Sequence, residues 1–240
     1  MRVAVLSDIH ANLPALDAVL ASLGEVDAVW QLGDVVGYGP HPDEVVARLR
    51  EIGATGVRGN HDAAALGVLG VEWFNPAAGR AVDWTARRIS PETRAWLADL
   101  PERIVLGEMT LVHGSPRDPT WEYVMTTHDA RANLDWFGTP YCLHGHTHVP
   151  ASWRGSDGRM EMLAPSPGSV LPLDERRLLL NPGSVGQPRD GDPRASALVV
   201  DTDARHVTWH RIAYPVAATQ ADIRAAGLPD WLADRLARGT

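Results

Sequence analysis

The sequence predicts an α/β protein in which two mixed β-sheets pack face to face with helices outside. Two observations carry that reading. The first half alternates strand and helix patterns in the order β-α-β-α-β, which requires parallel strands joined by helical crossovers. The second half is dense in short strand patterns with little helix between them, enough for a second sheet. No internal repeat, low-complexity tract or interdomain linker breaks the 240 residues, so one domain spanning 1–240 is expected.

Each element has its own signal. Arg2 to Ser7 is β-rich and reads as a buried strand. Asn12 offers a helix cap with Pro14 in the first turn. Leu13, Leu16, Val19, Leu20 and Leu23 then form an apolar stripe at helical spacing, ended by Gly24. Val26 to Leu32 is the second strand. Pro42 opens a second helix with Val45, Val46, Leu49 and Ile52 on one face and Gly53 at its end, and Thr55 to Val57 is a third strand. Residues 62–100 read as helical, with Asp83 to Ile89 and Pro91 to Leu100 the clearest stretches. Arg103 to Val112 reads as two strands joined at Gly107, and Asp129 to Phe137 as a helix. From Tyr141 the strand candidates are Tyr141 to Leu143, Ala151 to Arg154, Arg159 to Leu163, Leu178 to Leu180, Ala197 to Val200 and His206 to Ile212. Pro and Gly are dense over 164–193, which reads as loops. Val216 to Ala226 and Asp230 to Ala237 return to helix.

Composition excludes some functions. A net charge of −8 argues against a general nucleic-acid surface, which needs a basic footprint. It leaves a phosphate substrate open, because bound metals supply positive charge locally. All 22 basic residues are Arg, a mark of a GC-rich coding sequence rather than of any chemistry. The lone Cys142 excludes an intramolecular disulfide and, within an apolar run, reads as a buried small hydrophobe. Met1 leads straight into a strand pattern without a charged-then-apolar leader, and no apolar run approaches ~18 residues, so a cytoplasmic protein without a membrane span is expected. Nine tryptophans offer material for an apolar interface, which is compatible with an oligomer.

Five short blocks concentrate the chemistry: Asp8-Ile9-His10, Gly33-Asp34, Gly59-Asn60-His61-Asp62, His113-Gly114 and Gly145-His146-Thr147-His148. Nearly all follow an apolar strand-like run, which places oxygen and nitrogen ligands at strand ends. In extended backbone, Asp8 and His10, and likewise His146 and His148, point to the same side. Asp34 is either a turn residue or a carboxylate that bridges two ions, one oxygen to each. Asn60 and His61, as neighbours in extended backbone, point to opposite sides. His41, His128, His206 and His210 fall outside the blocks and read as surface or structural, while His144 reads as buried and hydrogen-bonded. Mixed nitrogen and oxygen donors suit Mn²⁺, Fe²⁺ or Zn²⁺ better than Ca²⁺ or Mg²⁺. Two divalent ions outweigh the carboxylates of Asp8 and Asp34, leaving a site that attracts phosphate.

In order, ligand type and context these blocks resemble the calcineurin-like metallophosphoesterase family, directly over residues 8–148 and onward through Asn181-Pro182-Gly183-Ser184. The resemblance implies a four-layer αββα sandwich and a metal-dependent phosphoric ester hydrolase with two divalent ions, Mn²⁺ first among them. It assigns Asp8, His10, Asp34 and His148 to one ion, and Asn60, His113, His146 and the shared Asp34 to the other. It leaves His61 off the metals, facing substrate as a general acid or transition-state stabiliser, while a hydroxide between the ions attacks phosphorus. Ser/Thr phosphatases of this fold continue Gly-Asp-x-x-Asp-Arg-Gly. Here Gly37 replaces the second acid and Tyr38 the Arg, and Ala11 stands where their Asp-x-His-Gly has glycine. Asp62 is the remaining acid near His61. The chain looks closer to the compact bacterial and archaeal phosphodiesterase-like branch, some of which carry Cys where His61 stands. A phosphodiesterase acting on a small phosphate ester or nucleotide is therefore expected. A dinucleoside polyphosphate hydrolase, a phosphomonoesterase and a non-catalytic scaffold are the alternatives. Asn12, Tyr38 and Arg189 are candidate substrate contacts, against helix capping, core packing and an Arg189–Asp190 surface pair. Trp121 is a further pocket candidate, and specificity is expected in loops 63–90, 114–128 and 164–193.

Overall fold

The computed structural model describes residues 1–156, 159–174 and 176–240. The first sheet has the strand order β3-β2-β1-β11-β12-β9. Its strands are β1 (Arg2–Leu6), β2 (Ala28–Gln31), β3 (Thr55–Gly56), β9 (Val170–Pro172), β11 (Ala195–Asp201) and β12 (His206–Ile212). The β1-β2-β3 part is parallel and the rest antiparallel. The second sheet runs β4-β5-β6-β10-β7-β8. It comprises β4 (Arg103–Leu106), β5 (Met109–Val112), β6 (Tyr141–Leu143), β7 (Ala151–Ser156), β8 (Arg159–Leu163) and β10 (Arg177–Asn181). Here β5, β6 and β10 are the parallel strands.

Alternation along the strands builds the layers. Val3, Val5, Leu111, Leu143, Leu178, Leu180, Leu198 and Val200 fill the space between the sheets. Ala4, Leu6, Ala197 and Val199 face the other way, onto α1 (Leu13–Ser22) and α2 (Pro42–Glu51), whose Leu16, Val19, Val45 and Leu49 are fully buried. On the outer face of the second sheet Val112, Cys142, Trp153 and Leu179 pack on Ala130 of α6 (Thr127–Ala132) and on Phe137. The result is the αββα sandwich. Truncating a core leucine such as Leu180 to Ala would cost about 2–5 kcal/mol.

Most elements start where their caps indicate. Asn12 accepts a hydrogen bond from the Ala15 N–H at the start of α1, and Ser90 does the same for Thr93 in α5 (Pro91–Asp99). Gly107, at φ 57°, turns β4 into β5. Other expectations are corrected. The helix expected at Asp83 begins at Pro76, because Asn75 caps it through the Ala77 and Ala78 N–H groups; α4 is Pro76–Ala86. The 164–193 region is not all loop: Val170–Pro172 pairs with β12 as an edge strand, where a proline costs no inner ladder bond. The expected helix to Phe137 stops at Ala132 and resumes as a 3₁₀ turn, Leu134–Trp136. The tail helices are α7 (Val216–Ala225) and α8 (Asp230–Asp234), followed by a 3₁₀ turn at Arg235–Ala237. Cys142 is buried, and burial pushes its thiol far above the ordinary range, as befits an inert packing group. Among the described residues no helix is long and apolar enough to cross a membrane.

Candidate metal centre

The parallel strands of both sheets end at the same edge of the sandwich. Asp8 and His10 follow β1, Asp34 follows β2, and Asn60 opens α3 (Asn60–Ala65) just after β3. From the second sheet His113 follows β5, and His146 and His148 follow β6. The backbone route differs from the expected extended one. Asp8, His10, Asp34, His146 and His148 all have φ between 49° and 66°. Such left-handed residues each cost on the order of 1–2 kcal/mol unless their surroundings enforce them. The enforcement is visible in the loops. Asp8 N–H donates to the Gly33 carbonyl at 3.1 Å, His10 to Asp34 at 2.9 Å and Ala11 to Val35 at 2.8 Å, which zips the first two loops together. The third loop enters too close for any side chain: a Cβ on Gly59 would lie 2.1 Å from Asp34 Oδ1.

Four histidines converge, and each has one nitrogen pinned by a main-chain carbonyl. His10 Nδ1 donates to Val36 at 3.1 Å, His113 Nδ1 to Leu32 at 2.8 Å, and His148 Nδ1 to Gln187 at 2.6 Å. His146 reverses the pattern and donates Nε2–H to the Trp121 carbonyl at 3.2 Å. A carbonyl only accepts, so these contacts set the tautomers and aim the opposite nitrogens inward. In one group His10 Nε2 and His148 Nε2 lie 3.2 Å apart, with Asp8 Oδ1 3.3 Å from His148 and Asp34 Oδ2 3.6 Å from His10. In the other, His113 Nε2 is 3.1 Å from His146 Nδ1, 3.0 Å from Asn60 Oδ1 and 3.4 Å from Asp34 Oδ2.

Asp34 therefore joins the groups through a single oxygen. Its Oδ1 accepts the His61 N–H at 2.9 Å, and its Oδ2 is the oxygen that faces both groups. The groups fit cations on two observations. His10 and His148 present two lone-pair nitrogens to each other with no hydrogen between them. Asp8 Oδ1 is buried without a hydrogen-bond partner among the described residues, while Oδ2 takes Ser7 Oγ–H at 2.7 Å and His146 N–H at 3.1 Å.

The electrostatics agree. Burial alone would raise the Asp34 carboxyl, but His113 and His61 beside it hold it far below the carboxylate range. Burial pushes Asp8 up to about 6. Burial also keeps His10, His146 and His148 neutral, as ligands must be. His113 is the exception: burial opposes its charge, yet neighbouring Asp34 raises it to about 9.

His61 lies on the second residue of α3, so the extended geometry expected for Asn60-His61 is replaced by a helical one. The two side chains still diverge: Asn60 joins the His113 group, and His61 turns into the cleft between Tyr38 and Phe74, with ring centroids at 4.4 and 4.8 Å. Burial lowers its imidazole to about 4. Asp62 does not orient it. Its oxygens accept the Val36 N–H at 3.0 Å and the Gly59 N–H at 2.9 Å, clamping the two loops. Nor does Gly37 leave room for an acid: a Cβ there would sit 2.5 Å from His61 Nδ1, on a backbone at φ 87°. That nitrogen has no partner among the described residues.

The cleft above the groups is lined by Tyr38, His61, Trp121 and Arg189, among others. Arg189 lies over the Tyr38 ring at 5.8 Å and donates to Gln187 Oε1 at 2.8 Å; Asp190 pairs with Arg211 instead. Asn12 is engaged elsewhere. Its Oδ1 accepts from Ala15 N–H and Thr219 Oγ–H, and its Nδ2 donates to the Gly186 carbonyl at 2.9 Å, so capping is what the structure assigns it. His144 is buried but points away from the centre onto Trp153; its Nδ1 approaches Asn181 Nδ2 at 3.5 Å and its Nε2 has no partner among the described residues. Sequence reasoning missed the support. Ser184 Oγ–H bonds the Asp8 carbonyl at 2.8 Å, and Asn181 Nδ2 bonds the Gly145 carbonyl at 2.8 Å. The Asn-Pro-Gly-Ser run was the available signal. The Trp121 carbonyl had none, since main-chain groups leave no mark in a sequence.

The profile of the calcineurin-like phosphoesterase superfamily domain matches residues 1–205, a span that contains both groups. The chain belongs to that family. A metallophosphoesterase from Sphaerobacter thermophilus, known by crystal structure, is 47% identical with a TM-score of 0.93, over 100% of this chain and 99% of its own. The uncharacterized protein MJ0912 of Methanocaldococcus jannaschii is 34% identical over 99% of this chain and 98% of its own length. The phosphodiesterase YfcE of Escherichia coli K12 is 27% identical over 86% of this chain and 91% of its own. This calcineurin-like chain thus has similar proteins in both bacteria and archaea.

Proposed function

We propose that this protein is a dinuclear-metal phosphodiesterase for small phosphate esters, working in the cytoplasm. The observation that carries the reading is the set of four carbonyl-pinned histidines converging with Asp8, Asp34 and Asn60 on two adjoining points. Asp8, His10, Asp34 and His148 would hold one ion, and Asp34, Asn60, His113 and His146 the other, with Mn²⁺ the first choice and Fe²⁺ or Zn²⁺ next. Bound there, the ions would activate a water and neutralise phosphate charge.

The chain's own residues supply the rest. Arg189, without a carboxylate partner among the described residues of the cleft, holds a non-bridging phosphate oxygen, and the neighbouring Tyr38 hydroxyl holds a second. One guanidinium, with Tyr38 where Ser/Thr phosphatases carry Arg, suits the single charge of a diester better than the double charge of a monoester. In the hydrolysis a bond from water oxygen to phosphorus forms and the P–O ester bond breaks; the water's proton is released to solvent and the departing oxygen takes one up from it, while the neutral His61 hydrogen-bonds that oxygen. Burial lowers His61 to about 4 and keeps it neutral, which suits a hydrogen-bonding stabiliser of that oxygen through Nε2–H. The name of the Escherichia coli relative supports the diester preference.

The test is hydrolysis of bis-p-nitrophenyl phosphate against p-nitrophenyl phosphate by metal-stripped protein, with Mn²⁺, Zn²⁺, Mg²⁺ or nothing restored. Mn²⁺-dependent cleavage, faster on the diester, is expected. Faster monoester cleavage would make it a phosphomonoesterase, and inactivity with every metal would overturn the enzymatic reading.

A further inference from the structure

The cleft over the metal centre has a floor and walls of different chemistry. Asp34 and Arg189 are the Asp, Glu, Lys or Arg residues among the described residues that line it, Asp34 buried beside the histidines and Arg189 half-buried over the Tyr38 ring. The walls are aromatic. Trp73, in the 3₁₀ turn Val71–Trp73, and the adjacent Phe74 stand on one side; Trp121 and Tyr123, from the loop between β5 and α6, stand on the other. Phe74 and Trp121 meet across the mouth with ring centroids 5.2 Å apart at 56°. Tyr123 stacks on His146 at 3.9 Å. The outer rings are open to solvent, Trp73 at 69% and Tyr123 at 44%. Large rings left exposed beside a phosphate-binding floor mark a surface that a ligand covers.

We propose, resting on the phosphoesterase reading, that Trp73, Phe74, Trp121 and Tyr123 form a stacking clamp, and that the substrate's ester group carries a planar aromatic or heteroaromatic ring. The floor fixes the phosphate, so the substituent has to leave through the mouth, between the two walls. The Phe74–Trp121 pair already sits at stacking range, so a substrate ring replaces one of the two as partner at little net loss. Ring faces stack on flat π-systems far better than on saturated rings, and among the described residues the walls carry no charged group for a polyanion.

The experiment uses binding, which leaving-group reactivity does not distort. Mn²⁺-loaded protein is titrated with phenyl phosphate, cyclohexyl phosphate and adenosine 5′-monophosphate, followed by quenching of tryptophan fluorescence and by inhibition of bis-p-nitrophenyl phosphate cleavage. Phenyl phosphate is expected to bind about tenfold tighter than cyclohexyl phosphate, the scale of one aromatic stack. Trp73→Ala and Trp121→Ala lose that preference, Trp73→Phe keeps it, and each variant keeps its metal content and melting temperature. Adenosine monophosphate binding tighter still would identify nucleoside esters; equality with phenyl phosphate would identify aryl esters, and both support the clamp. Equal affinity for the phenyl and cyclohexyl compounds, or variants that weaken both alike, would overturn it. Hydrolysis without ring preference removes the clamp alone; ring preference without hydrolysis under any metal removes the phosphoesterase reading and leaves the clamp.

Discussion

The two halves of the centre look alike in ligand type and differ in charge and support. The Asp8, His10 and His148 half has a carboxylate of its own besides the shared Asp34, and two histidines that burial keeps neutral, their Nε2 atoms 3.2 Å apart. The Asn60, His113 and His146 half has no carboxylate besides Asp34, and Asp34 raises the His113 imidazole to about 9. Support differs as well. The carbonyls on His10 and His148 come from Val36 and Gln187, in buried loops packed at strand ends, whereas His146 depends on Trp121 in the longer loop before α6. Two groups built from similar residue types thus differ in their carboxylates and in the loops that hold their histidines.

The sharpest way to break this comparison is Asp34→Ala, which removes the oxygen common to both halves. Elemental analysis is expected to show neither ion retained, with kcat/KM down by about four orders of magnitude, the several kcal/mol such ions supply. A protein that keeps one ion would show that the halves do not depend on the shared oxygen. Next is His61→Ala, which touches neither half: two equivalents of metal are kept and kcat falls about 10²–10⁴-fold. An unchanged kcat would remove His61 from the reaction.

Smaller is the pH dependence of metal uptake by calorimetry. With His113 held at about 9, the second equivalent is expected to release a proton and to tighten about tenfold per pH unit from 6 to 8. The first equivalent, on histidines that burial keeps neutral, should change less over that range, and equal slopes would erase the distinction. The smallest effect is on stability. Burial lowers His144 from 6.5 to about 3, so below pH 6.5 the unfolded chain binds the proton more readily than the folded one. The stability this neutral imidazole confers is full above pH 6.5 and declines as pH falls toward 3, at about 1.4 kcal/mol per unit at most. His144→Gln in metal-free protein should flatten the acid side of the melting curve; an unchanged slope would mean that His144 takes up its proton within the fold.

The sequence by itself determined the layers and the identity of the chemistry. Apolar periodicity over Leu13 to Leu23 and Val45 to Ile52, and strand-end Asp, Asn and His blocks, follow from local physics: side-chain period, a cap at Asn12, and donor atoms that only certain residues carry. β9 was illegible because three residues around a proline become a strand only when β12 is there to pair with them. α4 was read late because its start rests on an Asn75 cap rather than on an apolar stripe. Tertiary structure alone decided the geometry. Left-handed backbone at Asp8, Asp34 and His148, the single Asp34 oxygen that faces both groups, the turning of Asp62 away from His61, and the carbonyl partners of four histidines all depend on loops meeting across the sandwich. Main-chain carbonyls and φ angles belong to every residue type, so no pattern of side chains announces which of them will arrive at the site.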